Sequence, residues 1–172
     1  MKSVFKICVL GLLMFSASFA KAQAPKFGHV DFQALIQIMP ERTDAEKKFT
    51  AYQKELEDAL GVMQKEFQTL YMEYATKRDS LSETVRKMKE DDLNAKNERI
   101  QTYQQNAQQQ LQAKQAELLK PVFDKAEKAV KEVGAEKGLI YIFDMSSRVI
   151  LYNSKESVDI LPFVKTKLGI TQ

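Results

Sequence analysis

Between Pro40 and Pro121 lie 80 residues, and Gly61 is the one residue among them hostile to a helix. A glycine inside a helix costs about 1 kcal/mol relative to alanine, which a long helix tolerates. Ala, Glu, Lys, Gln, Leu and Met fill most of the stretch, and all are good helix formers. The spacing of the apolar residues specifies the kind of helix. Tyr52, Leu56, Leu60, Met63, Phe67, Leu70 and Tyr74 follow steps of 4, 4, 3, 4, 3 and 4. After the first step this is a heptad seam, the packing face of a coiled coil. Ile100, Tyr103, Ala107, Leu111 and Leu118 continue it more weakly, with Lys114 interrupting.

One unbroken helix of that length would reach about 120 Å, so a hairpin is the more economical reading. The break is expected between Lys77 and Thr84, where Asp79, Ser80 and Ser82 are poor helix-interior residues. Ser80-Leu81-Ser82-Glu83 fits a capping box that restarts the chain, and Thr43-Asp44-Ala45-Glu46 fits one that opens the ascending helix. Each arm is then roughly 57 Å long, whereas a compact globule of this size has a radius of gyration near 15 Å. The chain must be elongated.

Before this region stands a leader. Lys2 and Lys6 precede the apolar run Ile7 to Phe15, small residues follow, and Ala20-Lys21-Ala22 offers a cleavage signal. Cleavage is expected after Ala22, with Ala24 as the alternative, giving an exported, soluble product. Even with the small residues that follow, the stretch is about 14 residues, short of the roughly 20 needed to span a bilayer. Without residues 1–22 the chain carries 23 basic and 23 acidic side chains, and its lone cysteine, Cys8, is gone. That composition suits an oxidising compartment and excludes thiol chemistry.

The ends read differently from the middle. Phe27 to Val30 is a short strand, and Asp31 is placed to cap a helix over Phe32 to Ile38. Gly134 and Gly138 punctuate the end of the descending helix. Leu139-Ile140-Tyr141-Ile142-Phe143 reads as a strand apolar on both faces, Asp144 to Ser147 as a turn, and Val149-Ile150-Leu151-Tyr152 as the second strand of a hairpin. Asp159 caps a last helix running to Lys167. A sheet this small cannot bury both faces alone. Either a helix from residues 159–168 covers it or further copies of the chain do, and a homo-oligomer held together by the β part is the simpler supply. The fold class is therefore mainly α with a small β part. The helical hairpin arm spans 43–119, with its tip near 77–84. The β-containing oligomerisation body spans 23–42 and 120–172.

In this order and spacing the pieces resemble the Skp/OmpH family of periplasmic chaperones. The resemblance rests on Gly28-His29-Val30-Asp31, the gap-free hairpin, Gly138 to Asp144, Val149 to Tyr152 and Asp159-Ile160. It implies a jellyfish-like trimer whose strands form a central body, with Val30, Leu139, Ile140, Ile142, Val149 and Leu151 within it. It also implies a function: holding unfolded outer-membrane proteins soluble in the periplasm without nucleotide. Well-known members of the family are strongly basic, whereas here residues 23–119 carry 14 basic and 16 acidic side chains. Contact with membrane surfaces is therefore left open by the resemblance.

Such a surface must bind many sequences weakly, and flexible Met and amphipathic aromatics suit it. The candidates are Met63, Phe67, Tyr71, Met72, Tyr74, Met88 and Tyr103. Met63, Phe67 and Tyr74 are in register to zip the hairpin, while Tyr71 and Met72 are expected beside the seam. Gln101 to Gln115 holds eight Gln, which read either as a neutral cavity lining or as an exposed helix face. His29 has no second His or Cys with which to build a metal site. There is no G-x-x-x-x-G-K-[ST] to cradle a nucleotide and no G-x-S-x-G nucleophile motif. We expect no enzyme, no cofactor and, given the neutral balance, no nucleic-acid partner. A coiled-coil envelope adaptor that binds one folded partner is the alternative function.

Overall fold

Pro40 opens the first long helix, because its fixed φ suits the first helical position and its missing N–H is not needed there. In the computed structural model, which describes residues 25–147 and 149–170, this helix (α2) spans Pro40–Lys77. Thr43 therefore lies inside α2, and the capping box expected there is not the helix start. Arg42 and Glu46 instead pair one turn apart at 2.7 Å. The chain ahead of it forms a strand, β1 (Phe27–Val30), and a short helix, α1 (Phe32–Ile38). Asp31 caps α1 as its position predicts, its carboxylate accepting from the Ala34 N–H at 2.8 Å. The expected leader, residues 1–22, lies outside the described residues.

The hairpin turns where the poor helix formers cluster. A 3-10 turn over Arg78–Ser80 ends α2, and α3 runs from Glu83 to Lys137. The cap is Ser82, whose hydroxyl accepts from the Val85 N–H at 3.5 Å. Ser80 is not the cap, because its hydroxyl turns back and donates to the Lys77 carbonyl at 2.7 Å. At 55 residues, α3 is about 83 Å long and passes straight through Pro121. It stops at Gly138, where φ is 64°. There Leu139 N–H reaches the Gly134 carbonyl at 3.0 Å, the closure that a left-handed glycine permits.

That long return helix delivers the next strand alongside β1. The sheet has the order β2-β1-β3, with β2 at Tyr141–Asp144 and β3 at Val158–Asp159, and both pairings are parallel. The register sets Phe27 opposite Tyr141 and His29 opposite Phe143. The hairpin expected between residues 139–143 and 149–152 does not form, and residues 149–152 are not in a strand. Parallel strands need a long crossover, and here the two-helix arm is that crossover.

A last helix, α4 (Leu161–Leu168), closes the body, with the Asp159 carboxylate accepting from the Leu161 N–H at 3.0 Å. The core gathers Val30, Leu35, Ile36, Met39, Val122, Ala126, Ala129, Val133, Ile160 and Val164. Gly134 lets α3 approach the sheet, since a Cβ there would sit 2.7 Å from Ile142 Cδ1. One face of the sheet is thus covered by α3 and by the segment entering α4. The molecule is a helical arm on a small β body.

Asp144 fastens the end of β2 to the start of α1. Its carboxylate accepts from Phe32 N–H at 3.2 Å, from Ser146 N–H at 2.9 Å and from the Ser146 hydroxyl at 2.8 Å. Burial pushes its pKa up, but the Ser146 and Phe32 donors together outweigh burial and hold it below the ordinary 3.8. A carboxylate lowered in the folded state stabilises above its unfolded pKa, and that gain disappears as pH falls through the folded value. Asp144→Asn is therefore expected to cost about 1 kcal/mol at neutral pH, and progressively less as pH falls from 7 toward 2. Urea midpoints of both proteins across that range check it, and a pH-independent difference would show that the charge is not the cause.

Candidate functional site

Beyond Ala45, the last residue of α2 in the body core, the two long helices have, among the described residues, only each other to pack against. All seven seam residues read from the sequence, Tyr52 to Tyr74, are half-buried, and across from them only Leu93 and Ile100 are buried. A two-helix layer cannot do better, because each side chain has a partner on one side only. Met63, Phe67, Tyr74 and Tyr103 are therefore occupied in holding the hairpin. The Tyr103 hydroxyl donates to the Leu56 carbonyl at 3.3 Å, and the Tyr74 hydroxyl donates to the Glu90 carboxylate. That contact with Glu90 pushes the Tyr74 pKa up.

Lys114, which breaks the apolar pattern in the sequence, belongs to the seam. Its ammonium stands 5.7 Å from the centroid of the Tyr52 ring and bonds Glu117 at 3.0 Å, so the aliphatic stem packs while the charge stays satisfied. Lys96 approaches Glu66 at 4.0 Å. The Tyr52 hydroxyl donates to Gln110 Oε1 at 2.8 Å.

Tyr71, Met72 and Met88 are exposed, at 55%, 63% and 67%. The Tyr71 ring lies 6.3 Å from that of Phe67, on the flank of the seam. Met72 is not beside the seam as expected. A turn of 3.6 residues carries it about 160° round, onto the outer face. Val62 and Val85 are also exposed on the arm and were not among the sequence candidates. The available signal was an apolar residue out of register in a polar stretch. All eight Gln between 101 and 115 are exposed.

In the body the six sequence-selected residues divide. Val30 is buried, and Leu139 and Ile142 are half-buried and packed against the core. Ile140, Val149 and Leu151 are exposed. Phe27, Tyr141 and Phe143, which are not among those six, share the sheet face opposite the core. Their ring centroids lie 6.2 to 6.3 Å apart, and all three are exposed. The signal was the alternation of Phe27 with His29 and of Tyr141 with Phe143, which becomes meaningful only once the parallel register is known. His29 pairs with the Ser157 hydroxyl at 2.8 Å and ties β1 to the segment entering β3.

A groove of about 500 Å³ runs beside Pro121 between α2 and α3, with the Glu41–Lys125 ion pair along it. The hydrogen bond from Lys125 holds the Glu41 carboxyl below its usual pKa. Among the described residues there is no cluster of three or more His, Cys, Asp or Glu side chains suited to a metal. No helix among them is long and apolar enough to cross a membrane. A family model described as "Outer membrane protein (OmpH-like)" matches residues 26–168. No curated protein matches the chain.

Proposed function

The chain belongs to the OmpH-like family, known for periplasmic chaperones of outer-membrane proteins, and from that premise we propose that it is an ATP-independent holdase. It keeps unfolded outer-membrane β-barrel proteins from aggregating on their way to the outer membrane. The working form is a homotrimer. Residues 23–42 and 120–172 make its body, and residues 43–119 of each copy make an arm beside a shared cavity. Export by a cleavable leader places it in the periplasm.

One observation carries this reading. The arm satisfies its own seam and still leaves Tyr71, Met72 and Met88 in solvent. Isolated, flexible apolar side chains on a long polar support bind many sequences weakly and release them, whereas a continuous apolar patch would bind one partner tightly or aggregate. No step in such a cycle needs bond chemistry, so the absence of a nucleotide-cradling motif from the sequence is in keeping with it.

The test is dilution of a urea-unfolded outer-membrane β-barrel into buffer with the protein and no nucleotide, followed by light scattering. Scattering is expected to stay at baseline at one trimer per client, for several unrelated barrels. If every client aggregates as it does alone, the holdase reading fails and an adaptor for a folded partner replaces it.

A further inference from the structure

From Ile100 to Ala113 the chain carries no charged residue, although 28% of the whole sequence is charged. In the structure this gap is part of a directional feature of α3. Asn94, Asn97, Gln101, Gln104, Gln108, Gln112 and Gln115 recur at steps of 3, 4, 3, 4, 4 and 3, and all are exposed. At 3.6 residues per turn they form one stripe about a quarter-turn round from the seam. Of the charged side chains within the same span, Lys96, Arg99 and Lys114 lie about 80° or more away from it, and Glu98 flanks it about 40° from Asn94. Among the described residues, the seven stripe amides have no side-chain hydrogen-bond partner, whereas Gln110, off the stripe, is held by Tyr52. A shallow depression of about 390 Å³ lies along the stripe at Gln101, Gln104, Gln105 and Gln108.

We propose that this amide stripe is a docking surface for the extended main chain of an unfolded β-barrel strand. The inference rests on the holdase reading and names what the arm recognises. Each side-chain amide offers one acceptor oxygen and two N–H donors. An extended polypeptide offers one donor and one acceptor per residue whatever its sequence. Main chain is thus the one partner common to all clients, and an uncharged stripe neither selects nor repels them by charge. Length agrees as well. The stripe runs roughly 31 Å, which matches about nine extended residues, and a membrane-spanning strand of a barrel is about nine to eleven.

The test uses the protein as isolated and three variants with normal helical circular dichroism. Two convert Gln101, Gln104 and Gln108 together to Glu or together to Lys. The third places Glu at Thr102, Asn106 and Ala113, exposed positions off the stripe. Binding of a urea-unfolded barrel is expected to weaken at least tenfold in both stripe variants and less than about twofold in the control. The wild-type affinity is expected to change less than about threefold between 0.05 and 0.5 M salt. A nine-residue uncharged peptide with alternate backbone amides N-methylated is expected to bind at least about tenfold more weakly than its unmethylated form. Equal loss in stripe and control variants, or equal binding of the two peptides, overturns the proposal while the holdase reading stands. A change in sedimentation with client binding intact makes the stripe a contact between copies and overturns it too. If the wild-type protein binds no client at all, the holdase reading fails, and the inference with it.

Discussion

Leu35→Ala is expected to lower the stability of the protein by about 3 kcal/mol. Leu35 has no exposed surface and stands among the core residues contributed by β1, α1, α3 and the start of α4. Removing three carbons there loses their transfer free energy, and the cavity that remains adds to the cost unless the walls collapse. Collapse is opposed because α1 is fixed at both ends. Asp31 caps Ala34, Asp144 holds the Phe32 N–H, and the Met39 N–H closes on the Ile36 carbonyl at 3.3 Å. Urea midpoints of the two proteins at one concentration measure the difference. Tyr71→Ala, on the exposed flank of the arm, is the companion variant and is expected to stay within about 0.5 kcal/mol of wild type. A loss below about 1 kcal/mol for Leu35→Ala would mean that α1 shifts to fill the space.

The contrast between those two positions shows which parts of the fold were legible in the sequence. Local rules sufficed wherever neighbours in the chain are also neighbours in space. The steps from Tyr52 to Tyr74 marked the seam, Asp31 marked its cap, and Asp79, Ser80 and Ser82 marked the tip. Local rules failed at the body, where partners arrive from more than a hundred residues away. Leu139 to Phe143 read as half of a hairpin because an apolar run, a turn and a second apolar run are the usual signal for one. The strand instead pairs with Phe27 to Val30, since the return helix sets it down parallel to β1 and leaves Val149 to Tyr152 unpaired. Thr43 read as a cap because the capping-box pattern is loose, whereas Pro40 starts the helix without any side-chain cap.

The candidate site divides along the same line. Whether an aromatic on the arm is engaged or free follows from heptad register, so Met63, Phe67 and Tyr74 were legible as seam residues. Met72 shows the limit of reading by proximity in sequence, because one residue past Tyr71 is a further 100° round the helix. The aromatic group Phe27, Tyr141 and Phe143 was invisible for a different reason. Its members are brought together by a strand register that no local pattern encodes.

Tyr141→Asp is expected to separate the proposed trimer into folded protomers. In the single chain Tyr141 is 62% exposed, stacked against Phe27 at an angle of 8°. An aspartate at that position remains in solvent and costs the protomer about 1 kcal/mol of strand propensity and about 1 kcal/mol for the lost ring contacts. The case changes when a second copy covers the sheet face. A carboxylate buried there without a partner costs several kcal/mol, and about 3 kcal/mol already corresponds to a hundredfold weaker association. Sedimentation velocity at micromolar concentration is the measurement, with circular dichroism to show that the protomer is intact. Leu151→Asp, on the unpaired segment at 93% exposure, is the companion variant. If Tyr141→Asp still sediments as wild type while Leu151→Asp dissociates, the copies meet through residues 149–152 and the aromatic face is free for another partner. If Tyr141→Asp alone dissociates, the open face of the sheet is what joins the copies. Loss of client holding in that variant would then show that one arm is not enough, because a single stripe about 31 Å long holds a strand and not a whole unfolded barrel.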